Sequence, residues 1–190
     1  MRRVAIAQME STVNLKANLE QLKILFAEAA AQEASLLVLP ENFAFMGADE
    51  QDKLRIAEVA GEGLIQSTLS ALAAKYKLWV VAGTIPIQAP DARVWASSLV
   101  FNAKGEQVAR YDKIHLFDVI VSATEAHTES KTIMPGKKPV WVDTPIGRVG
   151  LSVCYDVRFP ELYRDLLNQG AELFTVVSAF TETTGAAHWH

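Results

Sequence analysis

The run "SLLVLP" at residues 35–40 is the feature that most restricts how this chain folds. Between Ser35 and Pro40 the residues are apolar without a break. A strand made from them has no polar face to give to water and needs cover on both sides. "LWVVAGTIP", "GLSVC" and "ELFTVVSAF" read as further strands, and Val4 to Met9 as a buried first strand. The cover comes from amphipathic helices. Asn14 is placed to N-cap a helix in which Leu15, Leu19, Leu22, Phe26 and Ala29 fall on one stripe. Residues 64–77 give a second helix. A third, near 160–169, opens at Pro160 and ends at Gly170. "VWASSLVFN" and "QVARYD" flank the turn tetrad "AKGE", and "PVWVDT" and "RVGLSVC" flank "PIG", so each pair predicts a hairpin. Residues 117–137 show no periodicity and read as one long loop. Helices alternating with some strands, while others pair as hairpins, predict an α/β fold of mixed sheets flanked by helices. No repeat, low-complexity segment or linker divides it, so one domain is expected over residues 1–190.

Composition narrows the function classes. A formal charge of -4 without a basic stripe argues against nucleic acid and anionic membrane surfaces as partners. The apolar run after the two N-terminal arginines is short, is interrupted by Gln8 and Glu10, and has no cleavage site after it. A first strand is therefore expected there rather than a signal peptide, and the cytoplasm as compartment. A single cysteine excludes an internal disulfide and a multi-cysteine zinc site.

That cysteine, Cys154, stands where the strand "GLSV" gives way to the charged turn Asp156-Val157-Arg158. Two other reactive side chains occupy comparable places: Glu41 after "LLVLP" and Lys113 after "QVARYD". Ligands of open α/β sheets bind outside the carboxyl ends of strands, so the three are expected in one crevice. Their chemistry is complementary. A free thiol has a pKa near ~8.5 and needs help to attack at neutral pH. A carboxylate takes its proton, and an ammonium stabilises the developing oxyanion. Cys, Glu and Lys together thus suffice for acyl transfer. A Cys–His arrangement through His115 is the alternative, since it lies two residues after Lys113. A phosphatase reading of Cys154 with Arg158 fails, because C-x3-R lacks the glycine-rich anion cradle. Arg158 is either a clamp for a substrate carboxylate or an ion-pair partner of Glu161 or Asp156. The terminal "HWH", with His188 and His190, is read as incidental rather than as a metal site.

"LPENF", "YDKIHLFD" and "CYDVRFPELYR…GAELFTVVSAFTETTGAAHW", in that order along nearly the whole chain, resemble the three blocks of the nitrilase superfamily of carbon–nitrogen hydrolases. Within it they are most similar to the branch containing deaminated glutathione amidase and the ω-amidases. The resemblance implies a four-layer αββα sandwich and a Glu41–Lys113–Cys154 catalytic centre. It places a second active-site glutamate at Glu129 in "TESKTIMPG". It further implies hydrolysis, through a thioester, of the terminal amide of a small carboxylate-bearing molecule, with Lys113 and the backbone N–H of Tyr155 binding the oxyanion. A deaminated-glutathione-like peptide amide is the first substrate expected and a short ω-amide keto acid the second, with a non-catalytic, interaction-only fragment as the alternative. Glu129 would orient Lys113 and the substrate amide. No metal or organic cofactor has a role, and a homo-oligomer is expected. Chains of this family continue beyond "GAAHW". A domain truncated at its C-terminus is therefore expected, with "ELFTVVSAF" as an open, association-prone edge and little or no activity.

Overall fold

Residues 2–121 and 126–189 are described in a computed structural model of the chain. Asn14 caps the first helix, its Oδ1 accepting the Ala17 N–H at 3.1 Å, and α1 runs Leu15–Ala31. "SLLVLP" supplies β2, Leu36–Leu39, which lies parallel to β1 (Val4–Ile6) on one side and β3 (Trp79–Gln88) on the other. Between them in sequence, α2 spans Leu64–Tyr76 and closes on Lys77 in the left-handed conformation. β4 (Val94–Phe101) and β5 (Gln107–Asp112) form the first expected hairpin and complete a five-stranded sheet in the order β1-β2-β3-β4-β5. The second expected hairpin is β8 (Trp141–Thr144) with β9 (Gly147–Val153). After α3, Pro160–Asn168, the chain adds β10 (Leu173–Val177) parallel to β9, giving the order β10-β9-β8.

Side-chain alternation along β2 explains why this run has no polar face. Leu37 and Leu39 join Leu22 and Phe26 of α1 and Leu69 of α2 in one core. Leu36, with Val81 and Val100, turns the other way and meets Val149, Leu151 and Val153 of the second sheet. On that sheet's outer face Gly150 lies under Leu166 of α3, where a Cβ would stand 3.0 Å from the leucine. The layers are therefore helices, sheet, sheet, helix: the αββα sandwich that the sequence resemblance implied.

Two expectations are corrected. The first strand is Val4–Ile6 rather than Val4 to Met9, and it is not buried: Ile6 is 82% exposed. Among the described residues it forms the sheet edge, with a partner strand on one flank. Residues 117–137 are not one loop. β6 (Asp118–Ile120) and β7 (Ala126–Thr128) pair as an antiparallel ribbon, followed by a 3₁₀ turn, Glu129–Lys131. Strands of three residues are too short to register as periodicity. Beyond β10, Thr181 caps a short helix, α4 (Glu182–His188), by accepting the Thr184 N–H at 3.2 Å. Among the described residues β10 pairs with β9 alone, and its Leu173 and Phe174 are exposed.

β3 carries an irregularity between Ala82 and Ile85, at the level of the residues that precede Glu41. Gly83 sits there at φ +25°, and a Cβ would fall 1.7 Å from the Pro40 carbonyl oxygen. Backbone cannot retreat as a flexible side chain does, so Gly83→Ala is expected to cost about 3 kcal/mol or more in urea unfolding. Gly61 also has a positive φ, +85°, but nothing lies within 4 Å of its would-be Cβ. Gly61→Ala should cost only about 1 kcal/mol. Equal costs for the two would show that the close approach at Pro40 is not a constraint.

Candidate active site

Three strand ends deliver the reactive groups. β2 stops at Leu39, Pro40 cannot extend its ladder, and Glu41 follows, 7% exposed. The next residue, Asn42, has a left-handed backbone (φ 56°) and donates its N–H to Thr84 Oγ1 at 2.9 Å, which fixes the turn. Lys113 comes directly after β5 and is 1% exposed. Its N–H donates to the Ala96 carbonyl at 3.0 Å, and its carbonyl accepts the Gly136 N–H at 2.8 Å. Gly136 is needed at that contact, since a Cβ would meet the Asp112 carbonyl oxygen at 1.9 Å. Cys154 comes directly after β9 with φ 48°, a conformation that L-residues rarely hold outside functional turns. It begins a 3₁₀ turn, Cys154–Arg158, that leads into α3.

The groups meet around the lysine. Lys113 Nζ donates to both Glu129 oxygens at 2.9 Å and to Glu41 Oε1 at 3.3 Å. Glu41 Oε2 accepts the Ala179 N–H at 2.8 Å, and Glu129 Oε2 the Phe117 N–H at 2.6 Å. Burial alone would pull the Lys113 ammonium down. Glu41 and Glu129, with a contribution from Cys154, outweigh it and hold the lysine charged far above its ordinary range. The Cys154 thiol is pushed up, first by burial and then by the Glu41 charge, with Lys113 opposing incompletely. Burial and the neighbouring Glu41 charge thus hold it as a thiol at neutral pH.

Outside this group the sequence expectations fare differently. Tyr155 is half-buried, edge-on to the Phe117 and Phe159 rings at 5.2 and 5.5 Å. Arg158 is exposed and makes no ion pair among the described residues. Glu161 lies 3.9 Å from Arg164 instead, and Asp156 is engaged by His115. His115 Nδ1 is 2.7 Å from Asp156 Oδ1, and the ring stacks on Phe159 at 3.7 Å between centroids. The Cys–His alternative thus has its histidine committed elsewhere. His190 and the side chain of His188 lie outside the described residues. Among the described residues no three His, Cys, Asp or Glu side chains are grouped as a metal site.

A sequence profile described as carbon–nitrogen hydrolase matches residues 3–190. The chain belongs to the carbon–nitrogen hydrolase family. It is 40% identical over 189 residues to the deaminated glutathione amidase of Synechocystis sp., covering 97% of this chain and 69% of that one. The crystal structure of the Caenorhabditis elegans NitFhit protein superposes with a TM-score of 0.89 at 35% identity, over 100% of this chain and 47% of that one. Saccharomyces cerevisiae Nit3, a member of branch 10 of the nitrilase superfamily, gives 0.86 at 33% identity, over 100% and 68%. The chain therefore spans between about half and about two thirds of these relatives' length. It stands within the nitrilase superfamily, on the side of deaminated glutathione amidase.

This member of the family also shows site groups that no sequence pattern announces. The Ala179 and Phe117 N–H groups orient the two carboxylates, and any non-proline residue supplies an N–H. Only the return of β10 toward β2 reveals the first, across 138 positions of sequence.

The electrostatics predict the behaviour of the thiol. Glu41→Gln removes the charge that raises Cys154 and leaves Lys113, which lowers it. The thiolate absorbance near ~240 nm should therefore appear at lower pH in the variant than in the parent. An upward shift would contradict the arrangement. Cys154 and Lys113 are both raised above their ordinary values, so each keeps its proton in the folded state after the unfolded chain has lost it. Their support is complete below ~8.5 and is lost as pH rises, so urea-unfolding stability should fall from neutral to alkaline pH.

Proposed function

We propose that the chain is a cysteine-dependent amidase that hydrolyses the terminal amide of a small, carboxylate-bearing molecule to acid and ammonia. The observation that carries this reading is Cys154, a buried thiol on a strained elbow, within electrostatic reach of the paired Glu41 and Lys113. Glu41 accepts the thiol proton as sulfur bonds to the amide carbon. Lys113 Nζ and the Tyr155 N–H receive the oxyanion; the latter lies early in a helical turn, where N–H groups lack partners within the turn. Glu41 returns its proton to nitrogen as the C–N bond breaks. Ammonia leaves, and a thioester remains on Cys154. Water then attacks the thioester, giving a proton to Glu41, and the acid leaves as the thiol is restored. Glu129 keeps Lys113 and the incoming amide in register.

Similarity to deaminated glutathione amidase favours a deaminated-glutathione-like peptide amide as substrate. A cavity of about 350 Å³ bordered by Asn42, Thr84, Trp95, His127 and Ile133, beside the Glu41 and Glu129 segments, offers room for its body. Arg158, exposed and unpaired among the described residues, is the cation offered to its carboxylate. A related structure supports the nucleophile: a variant of the amidase from Nesterenkonia sp. AN1 carries the product of Michael addition of acrylamide at its active-site cysteine. It superposes with a TM-score of 0.82 at 25% identity.

The test is ammonia release from deaminated glutathione, with mass spectrometry for an acyl adduct on Cys154. Cys154→Ala should abolish turnover with an unchanged circular dichroism spectrum. Glu41→Gln should block both half-reactions. Lys113→Ala should lower kcat by ~10²–10³, the loss of one oxyanion donor. Turnover by a folded Cys154→Ala variant would refute the assignment. Faster turnover of a short ω-amide keto acid would move the substrate class while leaving the chemistry in place.

A further inference from the structure

Lys113 and Cys154 leave different strands of different sheets, and yet one carboxylate is bonded on both sides of Lys113 and on the strand that presents Cys154. Asp156 has no exposed surface. Its Oδ2 accepts the Tyr111 hydroxyl at 2.7 Å and the Val153 N–H at 2.8 Å. Its Oδ1 accepts the His115 N–H at 3.1 Å and lies 2.7 Å from His115 Nδ1. Tyr111 and His115 bracket Lys113, while Val153 and Asp156 itself bracket Cys154. The Ile114 N–H donates to the Tyr111 hydroxyl at 3.3 Å and closes the ring of bonds.

A carboxylate early in a helical turn often does no more than cap it, and the Val153 bond meets that need. The bonds to Tyr111 and His115 reach back 45 and 41 residues, and a cap has no use for them. They bind the end of β5 to the end of β9. Among the described residues no lysine or arginine pairs with Asp156, so its donors must compensate its desolvation, which makes the network stiff and intolerant of partial loss. Burial and the Asp156 charge hold the Tyr111 phenol protonated, so it remains a donor at any working pH.

We propose that Asp156 is a positioning residue that fixes the Lys113 ammonium against the Cys154 sulfur for the amide reaction. This rests on the assignment of Cys154 as nucleophile. Asp156 exchanges no proton with substrate. It acts by keeping two strand ends in one register, so its loss should slow the chemical step and spare substrate binding.

The experiment uses the full 190-residue chain and deaminated glutathione as probe. In Asp156→Asn the amide group turns hydrogens toward donors that need an acceptor. In Tyr111→Phe only the long-range bond is lost, and the turn keeps its cap. Expected are falls in kcat of ~10²-fold for Asp156→Asn and ~10-fold for Tyr111→Phe, with KM within ~2-fold, as misplacement of a reacting group produces. The rate of adduct formation on Cys154 should fall by the same factors. The double variant should be no slower than Asp156→Asn alone, since both act through one contact. Unchanged kcat in a folded variant, a rise in KM alone, or losses that multiply in the double variant would each overturn the proposal. If Asp156→Asn does not fold, Tyr111→Phe decides alone, and unchanged kcat there overturns it. Absence of any adduct in the parent chain would sink the nucleophile assignment and the positioning role with it. A parent adduct, with the same adduct rate in Asp156→Asn, would sink the positioning role only.

Discussion

Lys113 Nζ is a buried ammonium held at 2.9 Å by both oxygens of Glu129 and at 3.3 Å by Glu41, and the architecture around the site is organised by the need to keep it there. A charge with 1% exposure is tolerated only when its partners are close and themselves satisfied. Each carboxylate is satisfied by a backbone N–H from a distant segment, Ala179 for Glu41 and Phe117 for Glu129. The ends of β2, β5 and β10 and the turn after β7 are thereby drawn to one place. Taking away either carboxylate leaves an under-compensated buried charge, so stability and chemistry at this site are not separable by simple deletion.

The same balance explains why Cys154 is not a standing thiolate. Burial and Glu41 push the Cys154 thiol up, and Lys113 only partly offsets them. A cysteine ionised at rest would be open to oxidation and alkylation. Here the sulfur rests protonated, and in the proposed mechanism the carboxylate that raises its pKa is the group that removes its proton. The strained backbone at Cys154 belongs to the same design. A φ of 48° turns the chain from strand to helical turn in one residue and presents sulfur and adjacent N–H groups at one point.

Beneath the reacting groups lies a second polar layer that makes no contact with them by chemistry but shares their backbone. Asp156, Tyr111 and His115 join the ends of β5 and β9, and Tyr111 is also part of the apolar packing between the sheets. Apolar contacts tolerate small slips, whereas hydrogen bonds with fixed donors do not. Packing by Leu36, Val81, Leu151 and Val153 alone would leave the relative height of Lys113 and Cys154 weakly specified.

By itself the sequence determined that β2 lies between two apolar layers, and it marked the candidate reacting groups. "SLLVLP" demanded cover on both faces. Asn14 and Gly105 marked a helix start and a hairpin, and Glu41, Lys113 and Cys154 each followed a strand signal. These are local properties, written in runs of fewer than about twenty residues, where periodicity and turn chemistry act. Tertiary structure alone decided that Val4–Ile6 is an exposed edge, that Asp118–Ile120 and Ala126–Thr128 pair as strands, and that His115 serves Asp156 rather than Cys154. It also supplied the Ala179 and Phe117 N–H groups. The reason is physical. Whether a strand is central or edge, and which N–H faces which carboxylate, depends on segments far apart in sequence, and a backbone donor carries no residue identity by which to be recognised.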